Sequence, residues 1–152
     1  MKLSIITPTN NGEYLEELEA TIIANSYQNW EWIVLMNNGI NECQLSSDPR
    51  IHKVRSKTES TNVGALKKEA CQLATGDVIV EVDHDDMITP DCLEKIAKAF
   101  SDREVGFVYS DNAKLSDSFI PYTPYWGWTY RKFDWRGKSL YAMKRLPLTP
   151  AR

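Results

Sequence analysis

The sequence has 152 residues, of which 42% are hydrophobic and 26% are charged, and its formal net charge is −3. This size predicts a single domain over residues 1–152 that buries a core without covalent staples. No apolar run is long enough to span a membrane, and the first twelve residues lack the apolar core and the cleavage site of a signal peptide. The three cysteines predict free thiols in a reducing compartment, so we expect a cytoplasmic protein.

The charges are unevenly distributed along the chain. From Trp126 onward, seven Lys and Arg residues accompany a single acid, Asp134, so this segment carries +6 and the first 125 residues carry −9. An acidic body with a basic, aromatic end indicates that the two parts meet different partners. The alternative is that the basic end only neutralises its own domain.

Strands and helices alternate in the predicted order of elements. Short apolar runs rich in Val and Ile mark the strands, and apolar residues at helical spacing mark the helices. In chain order, the predicted elements are a strand over 3–9, a helix over 13–25, strands over 30–36 and 50–56, a helix over 61–75, a strand over 77–83, a helix over 90–100 and a strand over 105–111. The fourth strand is predicted to be buried on both faces. This alternation predicts an α/β three-layer sandwich with a mostly parallel central sheet.

Polar loops follow several of the predicted strands. The carboxyl ends of parallel strands meet at one edge of a sheet, where ligands bind in this class of fold. We therefore expect the polar residues of these loops to lie together in one site. They are Thr7, Pro8, Thr9 and Asn10 after the first strand, Asn37, Asn38 and Gly39 after the second, and Asp83, His84, Asp85 and Asp86 after the fourth.

The most distinctive motif is the D-x-D-D of residues 83–86. Carboxylates this close together raise one another's pKa unless a positive charge lies among them. Mg²⁺ and Mn²⁺ prefer carboxylate oxygens and commonly use one or two of them together with substrate phosphates. Asp83 and Asp85 are therefore candidate metal ligands, and Asp86 is a candidate for capping the next turn or holding a water. An acidic surface turn is the alternative interpretation.

Two stretches, residues 4–39 and 62–96, resemble the nucleotide-sugar-binding half of family-2 glycosyltransferases of the GT-A fold. The resemblance runs from Leu3 to Asp111. It implies a nucleotide-sugar-binding core over residues 3–111 and a partial acceptor-side or aromatic and basic tail over residues 112–152.

The resemblance also implies roles for individual residues. Those implied to bind the nucleotide sugar are Thr7, Pro8, Thr9, Asn37, Asn38, Lys67, Asp83 and Asp85. Within this set, Asp85 is the direct metal ligand, Asp83 lies near the ribose, and Lys67 is the basic contact to the nucleotide. The implied cofactor is Mn²⁺ or Mg²⁺, which stabilises the diphosphate leaving group as a Lewis acid. The implied donor is a UDP-sugar, and the implied acceptor is a saccharide or a lipid-linked molecule.

Two features depart from the pattern of the family. Asn37 and Asn38 stand where family members usually carry acidic residues, which leaves GDP and dTDP open beside UDP. Inverting members also place an Asp, often in a Glu-Asp pair, downstream of the D-x-D to deprotonate the acceptor. No Glu-Asp pair occurs in this chain, and Asp134 is the one late candidate, with a turn aspartate as its alternative. The catalytic base is therefore unassigned, and we expect either a truncated chain or a minimal member with an improvised base.

Aromatic residues are concentrated near the carboxyl end. They are Tyr122, Tyr125, Trp126, Trp128, Tyr130, Phe133, Trp135 and Tyr141. In order of preference, these rings indicate packing on a strand, contact with a sugar acceptor, and peripheral contact with a membrane at its inner face. Nucleic acid is disfavoured because the rest of the chain is acidic and repels phosphates.

The leading hypothesis for function is a metal-dependent, inverting glycosyltransferase. A catalytically silent nucleotide-sugar-binding or partner-docking module is the alternative, which the missing base favours and the D-x-D and Lys67 oppose. A nucleotidyltransferase is a third hypothesis, but the loop after the first strand has a single glycine where such enzymes carry several.

Overall fold

The computed structural model describes residues 1–40, 42–58, 60–110, 112–114, 128–133, 139–140 and 149–151. The chain divides into two compact units. The first contains Met1–Ile23 and Gln28–Asp86, and the second contains Ala24–Tyr27 and Met87–Arg152.

The described helices and strands follow the predicted order. They are β1 (Leu3–Thr9), α1 (Leu15–Ile23), β2 (Trp30–Met36), β3 (Ile51–Arg55), α2 (Val63–Leu73), β4 (Val78–Glu81), α3 (Cys92–Ala99), β5 (Phe107–Ser110), β6 (Asn112–Lys114), β7 (Trp128–Phe133), β8 (Ser139–Leu140) and β9 (Thr149–Ala151). The three helices are shorter than predicted by a few residues at their ends, where the sequence pattern is least informative.

The first unit is built on a four-stranded parallel sheet in the order β3-β2-β1-β4. All seven residues of β2 are buried, as expected for a central strand covered on both faces. On one face, Ile6, Ile33 and Leu35 pack with Leu66 and Ala70 of α2. The predicted α/β architecture with a parallel central sheet and flanking helices is confirmed.

One prediction about β4 is wrong. The Val and Ile residues of this strand indicated burial on both faces, but the side chain of Ile79 is 45% exposed and only Val80 is buried. The reason is that β4 pairs with β1 and with no other strand among the described residues. An edge strand buries fewer of its side chains than a central one, and strand order cannot be deduced from periodicity.

A buried carboxylate joins the strands at the amino end of this sheet. Glu31 of β2 accepts hydrogen bonds from Lys2 Nζ at 2.6 Å, from Ser4 Oγ at 2.6 Å and from the Thr75 backbone N–H at 2.6 Å. We call Lys2, Ser4, Glu31 and Thr75 the amino-end cluster. Its hydrogen bonds tie β1, β2 and the segment before β4 together.

The second unit holds α3 and the remaining strands. The Asn25 side chain anchors the start of α3, since Oδ1 accepts a hydrogen bond from the Leu93 N–H at 3.0 Å and Nδ2 donates one to Thr89 O at 2.8 Å. β7 pairs antiparallel with β5 and with β8.

The structure covers the carboxyl-terminal predictions only in part. The predicted strand in the aromatic segment is confirmed over Trp128–Phe133. The candidate base Asp134 lies outside the described residues, as do Tyr122, Tyr125, Trp126, Trp135 and Tyr141.

Cys43, Cys71 and Cys92 are free thiols, as predicted. Within the part of the chain that the structure describes, no helix combines the length and the apolar character that a membrane crossing requires.

Candidate functional site

A pocket of about 450 Å³ opens at the carboxyl end of the parallel sheet, within the first unit. The loops after β1, β2, β3 and β4 and the start of α2 form its wall. Its lining residues are Pro8, Thr9, Asn10, Asn37, Asn38, Ser60, Thr61, Val63, Leu66, Lys67, Asp83, His84 and Asp85. The structure therefore brings together every residue predicted to bind the nucleotide sugar except Thr7.

Thr7 lies behind the pocket wall. It is fully buried, donates a hydrogen bond to Val82 O at 2.8 Å and accepts one from Trp32 Nε1 at 2.9 Å. Val82 immediately precedes Asp83. The Thr7 hydroxyl thus holds the segment from which the acidic loop departs, a positioning role that sequence reasoning did not find.

The loop after β2 is a tight turn anchored by Asn37. The Asn37 N–H donates to Thr9 O at 2.8 Å, and Asn37 Nδ2 donates to Ser60 O at 2.9 Å. Asn38 and Gly39 have φ of 50° and 95°, a backbone conformation that asparagine and glycine tolerate. The turn exposes Asn38 at the mouth of the pocket and keeps Asn37 buried beneath it.

Helix α2 carries Lys67 to the pocket. Asn62 caps this helix, because its Oδ1 accepts hydrogen bonds from the N–H groups of Gly64 at 2.9 Å and Ala65 at 3.3 Å. One turn further, the Lys67 ammonium forms an ion pair with the Glu81 carboxylate of β4. The hydrogen bond to Glu81, with the charges of Glu81 and Asp83, raises the pKa of Lys67 against the opposing effect of burial. Lys67 is therefore a permanent cation in this pocket.

Sequence reasoning missed several residues of this site. It also missed Glu81, which pairs with Lys67 from outside the pocket and whose signal was a charged residue inside the apolar run of residues 78–82. The missed lining residues are Ser60, Thr61, Val63 and Leu66.

The acidic loop leaves β4 in a turn, in which the Asp86 N–H donates to Asp83 O at 3.2 Å. Asp83 is exposed and Asp85 is half-buried, and both line the pocket. Among the described residues, no group of three or more His, Cys, Asp or Glu side chains could hold a metal ion. Mg²⁺ and Mn²⁺ often need only one or two carboxylates because substrate phosphates complete their coordination. The donor chemistry of Asp83 and Asp85 fits a cation that arrives with a diphosphate.

Residues 4–147 match the sequence model of Glycosyl transferase family 2. The match extends over most of the chain, and the chain belongs to this family. The resemblance identified from the residues is thus confirmed.

Comparison with solved structures shows the same fold. S. aureus TarS 1-349 in complex with UDP-GlcNAc superposes with a TM-score of 0.63 at 21% identity, covering 80% of this chain and 37% of TarS 1-349. The mannosyltransferase PcManGT from Pyrobaculum calidifontis, in complex with GDP-Man and Mn²⁺, gives a TM-score of 0.61 at 21% identity over 75% of this chain and 34% of its own. The fold is therefore of the GT-A, nucleotide-diphospho-sugar transferase type.

A curated relative is much longer than this chain. The uncharacterised protein y4gI of Sinorhizobium fredii is 24% identical over an alignment of 124 residues, and the alignment covers 74% of this chain and 13% of y4gI. The chain thus spans about an eighth of that relative and just over a third of the solved structures.

Proposed function

We propose that the chain binds a nucleoside-diphosphate sugar and a divalent cation, and serves a metal-dependent, inverting glycosyltransferase. The observation that carries this proposal is the pocket itself, in which one lysine and two aspartates from different elements lie together at the carboxyl end of a parallel sheet. Lys67 donates hydrogen bonds to phosphate oxygens, and Asp83 and Asp85 hold the cation. When bound, Mn²⁺ or Mg²⁺ supplies Lewis-acid stabilisation of the diphosphate leaving group.

UDP is the proposed nucleotide. The family resemblance supports it, and TarS is known in complex with UDP-GlcNAc. PcManGT, which has the same fold, is known with GDP-Man, so GDP is the matched comparison in any test. Asn38 and the exposed Val63 are the proposed contacts to the base, because both line the mouth of the pocket.

The acceptor side is proposed on sequence grounds. A saccharide or lipid-linked hydroxyl is the proposed acceptor, and the basic, aromatic segment beyond Trp126 is the proposed contact with it or with the inner face of a membrane. Inversion requires a base that deprotonates the acceptor hydroxyl, and none is assigned.

A catalytically silent module that binds nucleotide sugar is the second candidate. The absence of a Glu-Asp pair anywhere in the chain favours it. This module would share the donor pocket and differ from the enzyme only in turnover.

The test of donor binding is calorimetry with UDP and GDP, in Mn²⁺ and in EDTA. We expect Mn²⁺ to strengthen UDP binding and Asp85→Asn to remove this effect without unfolding the chain. Lys67→Met is expected to weaken UDP binding by about 10- to 100-fold, the value of a charge-assisted hydrogen bond. Glu104→Gln, which removes an exposed carboxylate outside the pocket, is the control. Equal UDP affinity in Mn²⁺ and EDTA would contradict the proposed role of the metal ion. Tighter binding of GDP than of UDP would make GDP the proposed nucleotide.

Turnover separates the two candidates. Release of UDP from UDP-sugars is measured in Mn²⁺, with and without saccharide and lipid-linked acceptors. Release that depends on an acceptor identifies the transferase, and binding without release identifies the silent module.

A further inference from the structure

An ion pair joins Lys67, which lines the pocket, to Glu81, which lies outside it. Lys67 projects from α2 and lines the pocket, whereas Glu81 lies on β4 and is not among the lining residues. The two side chains are 31% and 51% exposed, so neither is locked in place by packing. Either partner can therefore be exchanged when another charged group enters.

The charges of the pocket lining decide how this exchange affects the binding of a diphosphate. Lys67 is the one lysine or arginine among the residues that line the pocket in the described part of the chain. Its charge is already matched by Glu81, and the remaining charged groups of the lining are Asp83 and Asp85. The pocket thus presents a net negative charge to an incoming diphosphate.

We propose that Glu81 competes with the diphosphate for Lys67 and so makes nucleotide binding depend on a divalent cation. Without the cation, the diphosphate must displace the Glu81 carboxylate and approach two aspartates. A complex of Mn²⁺ and UDP carries two fewer negative charges than UDP alone, so the carboxylate opposes it less. Glu81 is in this sense a positioning residue that acts through Lys67. The inference rests on the proposed function, because it concerns the same pocket.

A simpler interpretation is that Glu81 only protects the edge of β4. Charged residues on edge strands discourage association with other chains. An exposed ion pair also adds little to stability. In that case Glu81 would affect solubility and leave ligand affinity unchanged.

The experiment measures UDP affinity by calorimetry in EDTA and in Mn²⁺, for the wild-type chain and for Glu81→Gln. We expect the substitution to strengthen binding in EDTA by about fivefold, the upper range for competition with an exposed ion pair. In Mn²⁺ we expect the substitution to change UDP affinity by less than about twofold. The ratio of UDP affinity in Mn²⁺ to UDP affinity in EDTA is therefore expected to be smaller in Glu81→Gln than in the wild-type chain. Glu104→Gln is the matched control, because it removes one exposed negative charge that is not among the residues lining the pocket.

A double substitution tests whether Glu81 acts through Lys67. In the Lys67→Met background, Glu81→Gln is expected to give no gain in EDTA. A gain that persists there would overturn the inference, since Glu81 would then act as a general negative charge. Unchanged or weaker binding of UDP by Glu81→Gln in EDTA would overturn it as well. If the wild-type chain binds neither UDP nor GDP in Mn²⁺, the proposed function fails, and the inference fails with it.

Discussion

Lys2 Nζ and Glu31 Oε2 lie 2.6 Å apart at the amino end of the parallel sheet. Glu31 is only 4% exposed, and burial alone would raise the pKa of its carboxyl group. Hydrogen bonds from Lys2, Ser4 and Thr75 outweigh burial and lower this pKa from 4.5 to about 2. The carboxylate is therefore ionised in the folded protein well below the pH at which it would be protonated in an unfolded chain.

We first predict that Glu31 makes stability depend on pH in the acidic range. Because its pKa is lowered in the folded state, its contribution is complete above about pH 5 and is lost as the pH falls towards 2. Glu31→Gln is expected to lower the free energy of unfolding by roughly 2–3 kcal/mol at pH 7 and by much less at pH 3. Urea denaturation across this range measures the difference. Glu16→Gln, at an exposed position of α1, is the control, and a constant difference between Glu31→Gln and wild type would contradict the prediction.

The second prediction concerns Gly76, which lies against the backbone of the segment that leads into β1. A Cβ atom at this position would be 2.6 Å from Ser4 Oγ and 2.7 Å from Lys2 O. Gly76→Ala is therefore expected to lower the free energy of unfolding by about 1–3 kcal/mol, since the backbone at Lys2 must shift. Gly12→Ala is the control because its Cβ would make only an ordinary contact with Leu15 at 4.0 Å. Equal urea midpoints for the two variants would show that a Cβ atom at position 76 does not destabilise the fold, and would contradict the prediction.

The third prediction concerns the cap of α2. Asn62→Ala removes the acceptor for two N–H groups of this helix and is expected to cost about 1 kcal/mol of unfolding free energy. Asn62→Asp keeps the acceptor and is expected to stay near wild type. Urea denaturation of both variants measures their free energies of unfolding. Similar losses in Asn62→Ala and Asn62→Asp would contradict the capping role of the Asn62 side chain.

The fourth prediction concerns Asn37, which stands where family members usually carry an acid. Its side chain is 3% exposed and its Nδ2 donates to Ser60 O, a bond that an aspartate carboxylate cannot make. Asn37→Asp is expected to lower the free energy of unfolding by about 1–3 kcal/mol at pH 7. The loss is expected to shrink near pH 4, where a protonated carboxyl group can donate instead. Asn38→Asp at the exposed neighbouring position is the control, and a smaller loss at Asn37 than at Asn38 would contradict the prediction.

Two strands of the first unit could be predicted because each is a short apolar run that ends in polar turn residues. The runs over Leu3–Thr9 and Trp30–Met36 are apolar and bounded by polar turn residues, and both form buried parallel strands. The exposure of Ile79 could not be predicted in the same way. It depends on the position of β4 at the edge of the sheet, which is a property of strand order and not of local pattern.

The residues of the site were predictable to the extent that a motif places them at strand ends. Lys67, Asp83 and Asp85 line one pocket, and their roles in binding a nucleotide sugar and a metal ion stay predictions. The contacts that position these residues were not predictable, because they join groups far apart in sequence. Thr7 bonds to Val82, and Lys67 pairs with Glu81 across two elements. Such pairs become visible only when the strands are assembled.

The amino-end cluster and the pocket occupy opposite ends of the same strands. Glu31 of β2 is paired with Ser4 of β1, and Glu81 of β4 is paired with Ile6 of β1, so the two carboxylates lie two residues apart along the strands and two strands apart across the sheet. At ~3.3 Å per residue and ~4.8 Å per strand, their backbones are roughly 12 Å apart. This separation exceeds the ~7–10 Å within which substitutions commonly interact, and no residue of the amino-end cluster lines the pocket. Free-energy changes from substitutions at the two ends are therefore additive. We therefore expect Glu31→Gln to lower the stability of the fold without changing UDP affinity, and Glu81→Gln to change UDP affinity without changing the contribution of Glu31 to stability.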